Sequence, residues 1–102
     1  MIELTFRPAA VDDLSEARAH YSSVAEGLSR RFVLAVDELF ARLSEFPRSA
    51  PLVSGYPDVR RAVVRGFPYV VFYRHQGERI DVLRVLHAAR SDAERPSTPR
   101  RR

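Results

Sequence analysis

Residues 1–7 alternate, with Ile2, Leu4 and Phe6 on one side and Glu3, Thr5 and Arg7 on the other. That is the period of a half-buried strand. Pro8 ends it and suits the first turn of a helix. Asp12, Asp13 and Glu16 follow, near the positive end of the helix dipole. Ala10, Leu14, Ala17, Tyr21, Val24 and Leu28 then recur at spacings of four and three, which predicts one apolar helical stripe. Gly27 interrupts the pattern, and Ser29 reads as the N-cap of a second helix. The second stripe is Phe32, Val36, Leu39, Leu43 and Phe46, widened by Val33 and Phe40. Pro47 disfavours helical geometry in the residue before it, so this helix stops near Phe46. Two helices joined this closely predict an antiparallel hairpin.

Residues 47–58 carry Pro47, Pro51, Gly55 and Pro57 and read as a loop. Three strands are expected after it, over 60–65, 69–74 and 80–87, with Gly66 and Pro68 ending the first and Gly77 in the turn before the last. The order strand, helix, helix, strand, strand, strand predicts an α+β fold. If each connection simply reverses the chain, a wholly antiparallel four-stranded sheet results, covered on one face by the helical hairpin. The other face is left for solvent or a partner. One domain is expected over 1–92. Residues 93–102 form a basic tail poor in apolar side chains, which predicts disorder.

Composition changes this picture only in part. All 17 basic residues are arginine. A GC-rich coding bias accounts for that, as does selection for bidentate contacts to phosphate or carboxylate. The net charge of +4 falls to +1 when Arg100, Arg101 and Arg102 are set aside, leaving 14 arginines against 13 acids. The body is nearly neutral, so the basic balance is a weak argument for non-specific nucleic-acid binding. There is no cysteine, hence no disulfide, thiolate metal site or cysteine nucleophile. No signal-peptide pattern and no membrane-spanning run appears, which makes a cytoplasmic protein the expectation. Histidines and acids are not clustered at metal-ligand spacing, and no glycine-rich phosphate loop or dinucleotide fingerprint occurs, so neither metal nor cofactor is expected.

Three segments carry a resemblance. The opening FRPAAVDDLSEARAHY, the helix ending LSEFPRSAP and the run RRAVVRGFPYVVFYRHQGERIDVLRVLHAARSD occur in the order found in the RelE/ParE toxins. The chain resembles that family over about residues 2 to 92 and leans toward its ParE branch. The resemblance implies the toxin of a bacterial type II toxin–antitoxin pair, held in a hetero-oligomer by a cognate, ParD-like antitoxin. It implies DNA gyrase as the target if the chain is ParE-like. It implies the ribosome and its messenger RNA if the chain is RelE-like; a third reading is a non-toxic interaction module derived from such a toxin.

The RelE-like alternative needs a catalytic set. Metal-free RNA cleavage requires a base for the 2′-hydroxyl, cations for the phosphorane and an acid for the leaving oxygen. The candidates are Arg61 and Arg65 on one strand face, His87 as acid or base, Tyr73 and Arg90. Arg61, Arg65, His87 and Arg90 serve equally as contacts to a protein target. Each has a plainer reading: solvated charge for the arginines, strand-end hydrogen bonding for His87, packing for Tyr73. His20 and His75 read as solvated. The chain lacks lysine, and Ala88 and Ala89 stand where such nucleases carry an aromatic or a base after the last strand. Both departures favour a toxin that works by binding. Arg84 falls in line with Ile80, Val82 and Leu86, where an unpaired charge would be costly, so it calls for a carboxylate partner or a strand-edge position.

Overall fold

The computed structural model describes residues 2–91. The basic tail, 93–102, lies outside the described residues. The elements are β1 (Glu3–Phe6), α1 (Pro8–Val24), α2 (Leu28–Glu45), β2 (Val59–Val63), β3 (Tyr69–Gln76), β4 (Arg79–His87) and a short α3 (Ala88–Ser91). Pro8 sits at the start of α1, after Arg7 in extended geometry. Ser29 is not the N-cap of α2. That position belongs to Gly27, whose left-handed φ of 82° turns the chain directly into the helix, and its carbonyl accepts from the Arg31 amide at 3.2 Å.

The sheet has the order β1-β4-β3-β2. It is mixed, not wholly antiparallel, because β1 pairs with β4 in parallel. The cause is the connection from α2 to β2. Residues 51–53 run antiparallel along β2, with Leu52 bridged to Arg60, the Val53 amide donating to Val59 and the Arg61 amide donating to Pro51. The loop makes the return stroke itself, so β2 starts in the direction of β1. Positive φ values at Gly55 (84°) and Asp58 (68°) complete the reversal. β3 and β4 meet across a two-residue turn at Gly77 and Glu78, since Gln76 pairs with Arg79. Gly77 at φ 60° supplies the positive first position of a type II′ turn.

β4 carries a bulge. Phe72 pairs with Arg84 and Tyr73 with Val82, which leaves Leu83 as the extra residue. The alternation therefore changes phase. Ile80, Val82 and Val85 join the core beneath the helices, whereas Leu83 and Leu86 join a second cluster. That second cluster also holds Val53, Val59, Val70 and Phe72, with Tyr56 packed on it. The sheet face away from the helices is thus partly closed by the chain's own loop. The main core is built from Phe32, Val36, Leu39 and Leu43 of α2 against β3 and β4. At one end of it Tyr21, Phe32, Phe67 and Tyr69 have ring centroids 5.1 to 6.0 Å apart. Such aromatic pairs add about 0.5–1.5 kcal/mol each beyond the area they bury. Two stripe residues lie outside the core. Val24 closes α1 and Phe46 follows α2, and both are more than half exposed.

Arg84 finds its carboxylate. Its Nε and one terminal nitrogen donate to the two oxygens of Asp13 at 2.7 and 3.0 Å. The same carboxylate accepts the Val85 amide at 2.9 Å. β1 covers β4 only from Arg79 to Val82, so the Val85 amide lies beyond the end of that ladder. Asp13 therefore belongs to the packing of α1 on β4, not to the first turn of the helix. Its loss strands a backbone donor and a half-buried guanidinium together. We expect Asp13→Ala to destabilise the fold by about 2–3 kcal/mol. That is roughly a 10–20 °C drop in melting temperature for a domain of this size. Arg84→Ala should cost less, and the double variant should show less than the sum of the two in thermal unfolding.

Candidate functional site

Arg61 and Arg65 arise from the edge of the sheet. Arg61 lies within β2 and Arg65 just past it, and both line a groove of about 440 Å³ with Leu39, Arg42, Leu43 and Phe46 of the α2 end. By its pairing with Phe72, Arg61 belongs to the face away from the helices. Arg60 points elsewhere and donates to the carbonyls of Arg48 and Ala50, at 3.3 and 2.8 Å, which fastens the loop to β2.

His87 lies in a different place. It ends β4 opposite Tyr69, with the two rings 5.3 Å apart in an edge-to-face contact. It lines a separate cleft with Asp13, Glu16, His20 and Tyr69, on the helix side of the sheet. Its Nδ1 accepts the Ala89 amide at 3.1 Å, so the neutral ring carries its proton on Nε2. That bond caps the start of α3, which holds Arg90. Tyr73 has no exposed surface, and its hydroxyl donates to the Pro47 carbonyl at 2.7 Å. It anchors the end of α2 to the middle of the sheet. The structure therefore does not bring Arg61, Arg65, His87 and Tyr73 together: the arginines at the β2 edge and His87 border different grooves, and Tyr73 borders neither; the side chain of Arg90 lies outside what is described.

A third groove was not read from the sequence. It runs between α1 and α2, holds about 400 Å³, and is lined by Phe6, Val11, Leu14, Phe32, Val36 and Phe40, with Arg18 and Asp37 at its rim. Val11 is 52% exposed although it sits within a helix, and Phe6 is also exposed. The signal was present in Val11 and Val33, which flank the two core stripes toward each other. Widened stripes on adjacent helices leave apolar surface between them that neither helix covers. Among the described residues no group of three or more histidines and acids is placed to hold a metal, and no helix is long and apolar enough to cross a membrane.

The model of the ParE toxin of the type II toxin–antitoxin system parDE matches residues 4–92. The chain belongs to the ParE toxin family. Toxin ParE2 of Mycobacterium tuberculosis, in strains CDC 1551 and H37Rv, is 38% identical over 78 residues, which cover 74% of this chain and 71% of the relative. A solved structure of the chromosomal ParDE system from P. aeruginosa superposes with a TM-score of 0.60 at 23% identity, over 85% of this chain and 96% of that one. At that identity the likeness is one of fold. It spans most of this chain, so the α+β fold is shared, with the mixed pairing as described for this chain.

Within this ParE chain the buried phenol has a consequence for pH dependence. Desolvation raises the Tyr73 pKa above its ordinary value of 10.0, against an opposing effect of the nearby Arg60 charge. The group is neutral in both folded and unfolded states below about pH 10. Above that, the unfolded chain ionises first, so stability falls as pH rises toward the folded pKa. Tyr21, raised by burial and by Tyr69, acts in the same direction. In Tyr73→Phe the fall above pH 10 should be shallower, while stability at neutral pH drops by about 1 kcal/mol for the lost hydrogen bond. Urea unfolding across pH 7–11 measures both.

Proposed function

We propose that this ParE-family toxin acts in the cytoplasm by binding its target, DNA gyrase, and performs no bond cleavage of its own. The carrying observation is the separation of the polar candidates. A metal-free nuclease must place a base, cations and an acid around one phosphate, within hydrogen-bond reach of the reacting atoms. Arg61 and Arg65 line one groove, His87 another, and the Tyr73 hydroxyl is spent inside the fold. Binding makes no such demand, because arginines at separate places contact an acidic protein surface equally well. Neither a metal nor a cofactor is needed.

We also propose a cognate antitoxin of the ParD kind and assign its helix to the groove between α1 and α2. An amphipathic helix laid in an apolar groove places side chains at intervals of three and four along it. The floor of Leu14, Phe32, Val36 and Phe40, with Val11 open at the rim, matches that requirement. Toxin and antitoxin would form a hetero-oligomer, and binding only to the folded toxin would stabilise it by about 4 kcal/mol at a thousandfold excess over Kd.

Two expected outcomes follow from this assignment. His87→Gln should keep its toxicity on induction to within a few-fold, whereas loss of a general acid or base would cost about 10²–10⁴ in rate. Colony formation after induction measures this, and a non-toxic but folded His87→Gln protein would argue for the ribosome and its message as the target. Val11→Glu places a charge in the groove without touching the core. It should leave the melting temperature of the free toxin nearly unchanged and weaken capture of the neighbouring gene's product by about tenfold or more, about 1.4 kcal/mol.

A further inference from the structure

The sheet ends in two edge strands, and only one of them is partly covered. Residues 51–53 run along β2, whereas β1 meets no strand but β4 among the described residues. In that parallel ladder the Glu3 amide donates to the Glu78 carbonyl and the Arg7 amide to the Val82 carbonyl. The odd-numbered residues of β1 therefore turn their backbone groups toward β4. The N–H and C=O of Leu4 and Phe6 face outward. Their side chains lie on the helix side, where Leu4 packs on the core and Phe6 stays 38% exposed beside Phe40. Thr5 and Arg7 lie on the other face and both reach Asp81, Arg7 through its Nε at 2.9 Å. Glu3 is exposed and has no ion-pair partner among the described residues.

We propose that β1 pairs with β1 of a second copy, antiparallel about a two-fold axis at Thr5, joining two four-stranded sheets edge to edge. Only the outward residues can exchange backbone bonds across this edge, so the axis can fall at Leu4, Thr5 or Phe6. With the axis at Leu4, Glu3 stands diagonal to Glu3 of the second copy. With the axis at Phe6, Arg7 stands diagonal to its own copy, and Leu4 faces Pro8, which has no N–H to give. Like charges so placed oppose pairing. With the axis at Thr5, Glu3 lies opposite Arg7 of the second copy. Leu4 lies opposite Phe6 in a pair that exchanges two backbone hydrogen bonds, and the two Thr5 residues meet with Cα atoms about 4.5 Å apart. Symmetry repeats each contact. Charges on a short edge strand deter arbitrary partners. Here they are unlike and four residues apart, so they repel the neighbouring registers and fit this one.

The contact needs neither antitoxin nor target, so the purified chain alone tests it. Sedimentation between about 10 µM and 1 mM should show a monomer–dimer equilibrium. Amide exchange at Leu4 and Phe6 should slow as concentration rises, and exchange at Val63 on the β2 edge should not. Glu3→Arg and Arg7→Glu should each weaken the dimer about tenfold or more. An equimolar mixture of the two variants should recover it, because each chain then supplies the charge the other has lost. Arg7→Glu also sets a carboxylate beside Asp81, so its melting temperature is measured in parallel. A further variant needs no charge change. The chain has no cysteine, and Thr5→Cys should close into a disulfide-linked dimer on mild oxidation, whereas Val63→Cys should not. A monomer throughout that range, a dimer indifferent to Glu3→Arg, or cross-linking at Val63 and not at Thr5 would overturn the proposal. So would a mixture of folded variants that stays monomeric. Protection of Leu4 and Phe6 that appears only on adding the neighbouring gene's product would give the edge to that partner and overturn it too.

Discussion

One carboxylate decides how the helical layer meets the sheet. β1 is short and pairs with only the first half of β4, which leaves the Val85 amide without a strand partner on that side. Asp13 in α1 takes that amide and two nitrogens of Arg84. A helix side chain thus does for β4 what a longer strand would have done. With α1 held there, Ala10, Ala17 and Tyr21 are buried against the sheet and α2. The space between the two helices then has to open on the outer side, at Phe6, Val11 and Phe40. The groove assigned to the antitoxin follows from where α1 is pinned.

The same constraint separates the polar residues. The bulge at Leu83 shifts β4 by one residue, which sends Leu86 to the outer face while Arg84 reaches Asp13. His87 follows on the helix side, over Tyr69. Arg61 stands two strands away at the sheet edge, on the opposite face. Strand alternation and the bulge together place these groups at different grooves. In that geometry arginines serve contact more readily than they serve phosphorane stabilisation.

Much of this fold is legible in the sequence because its signals are local. The alternation at Ile2, Leu4 and Phe6, Pro8 at the helix entry and the stripe from Phe32 to Leu43 each name an element on their own. Arg84, isolated among apolar neighbours, asked for a carboxylate and has one. What escaped is non-local. Parallel pairing of β1 with β4 depends on the loop at residues 51–53 making a stroke along β2, and a run with two prolines around Leu52 does not look like a strand. The bulge leaves no mark in the sequence, since Leu83 continues an apolar run. Ser29 lost the cap to Gly27 because a left-handed glycine reverses the chain in fewer residues. The arginine candidates were visible as a strand pattern, but their separation from His87 is a fact of register and face.

A toxin that disables its target by contact cuts nothing, and that difference can be measured directly. Two reactions are set side by side with the purified ParE chain: DNA supercoiling by gyrase, and the integrity of messenger RNA on translating ribosomes. Inhibited supercoiling with intact message, in the wild-type chain and in His87→Gln alike, is the predicted result. Cleaved message with normal supercoiling, and cleavage lost in His87→Gln, would contradict it.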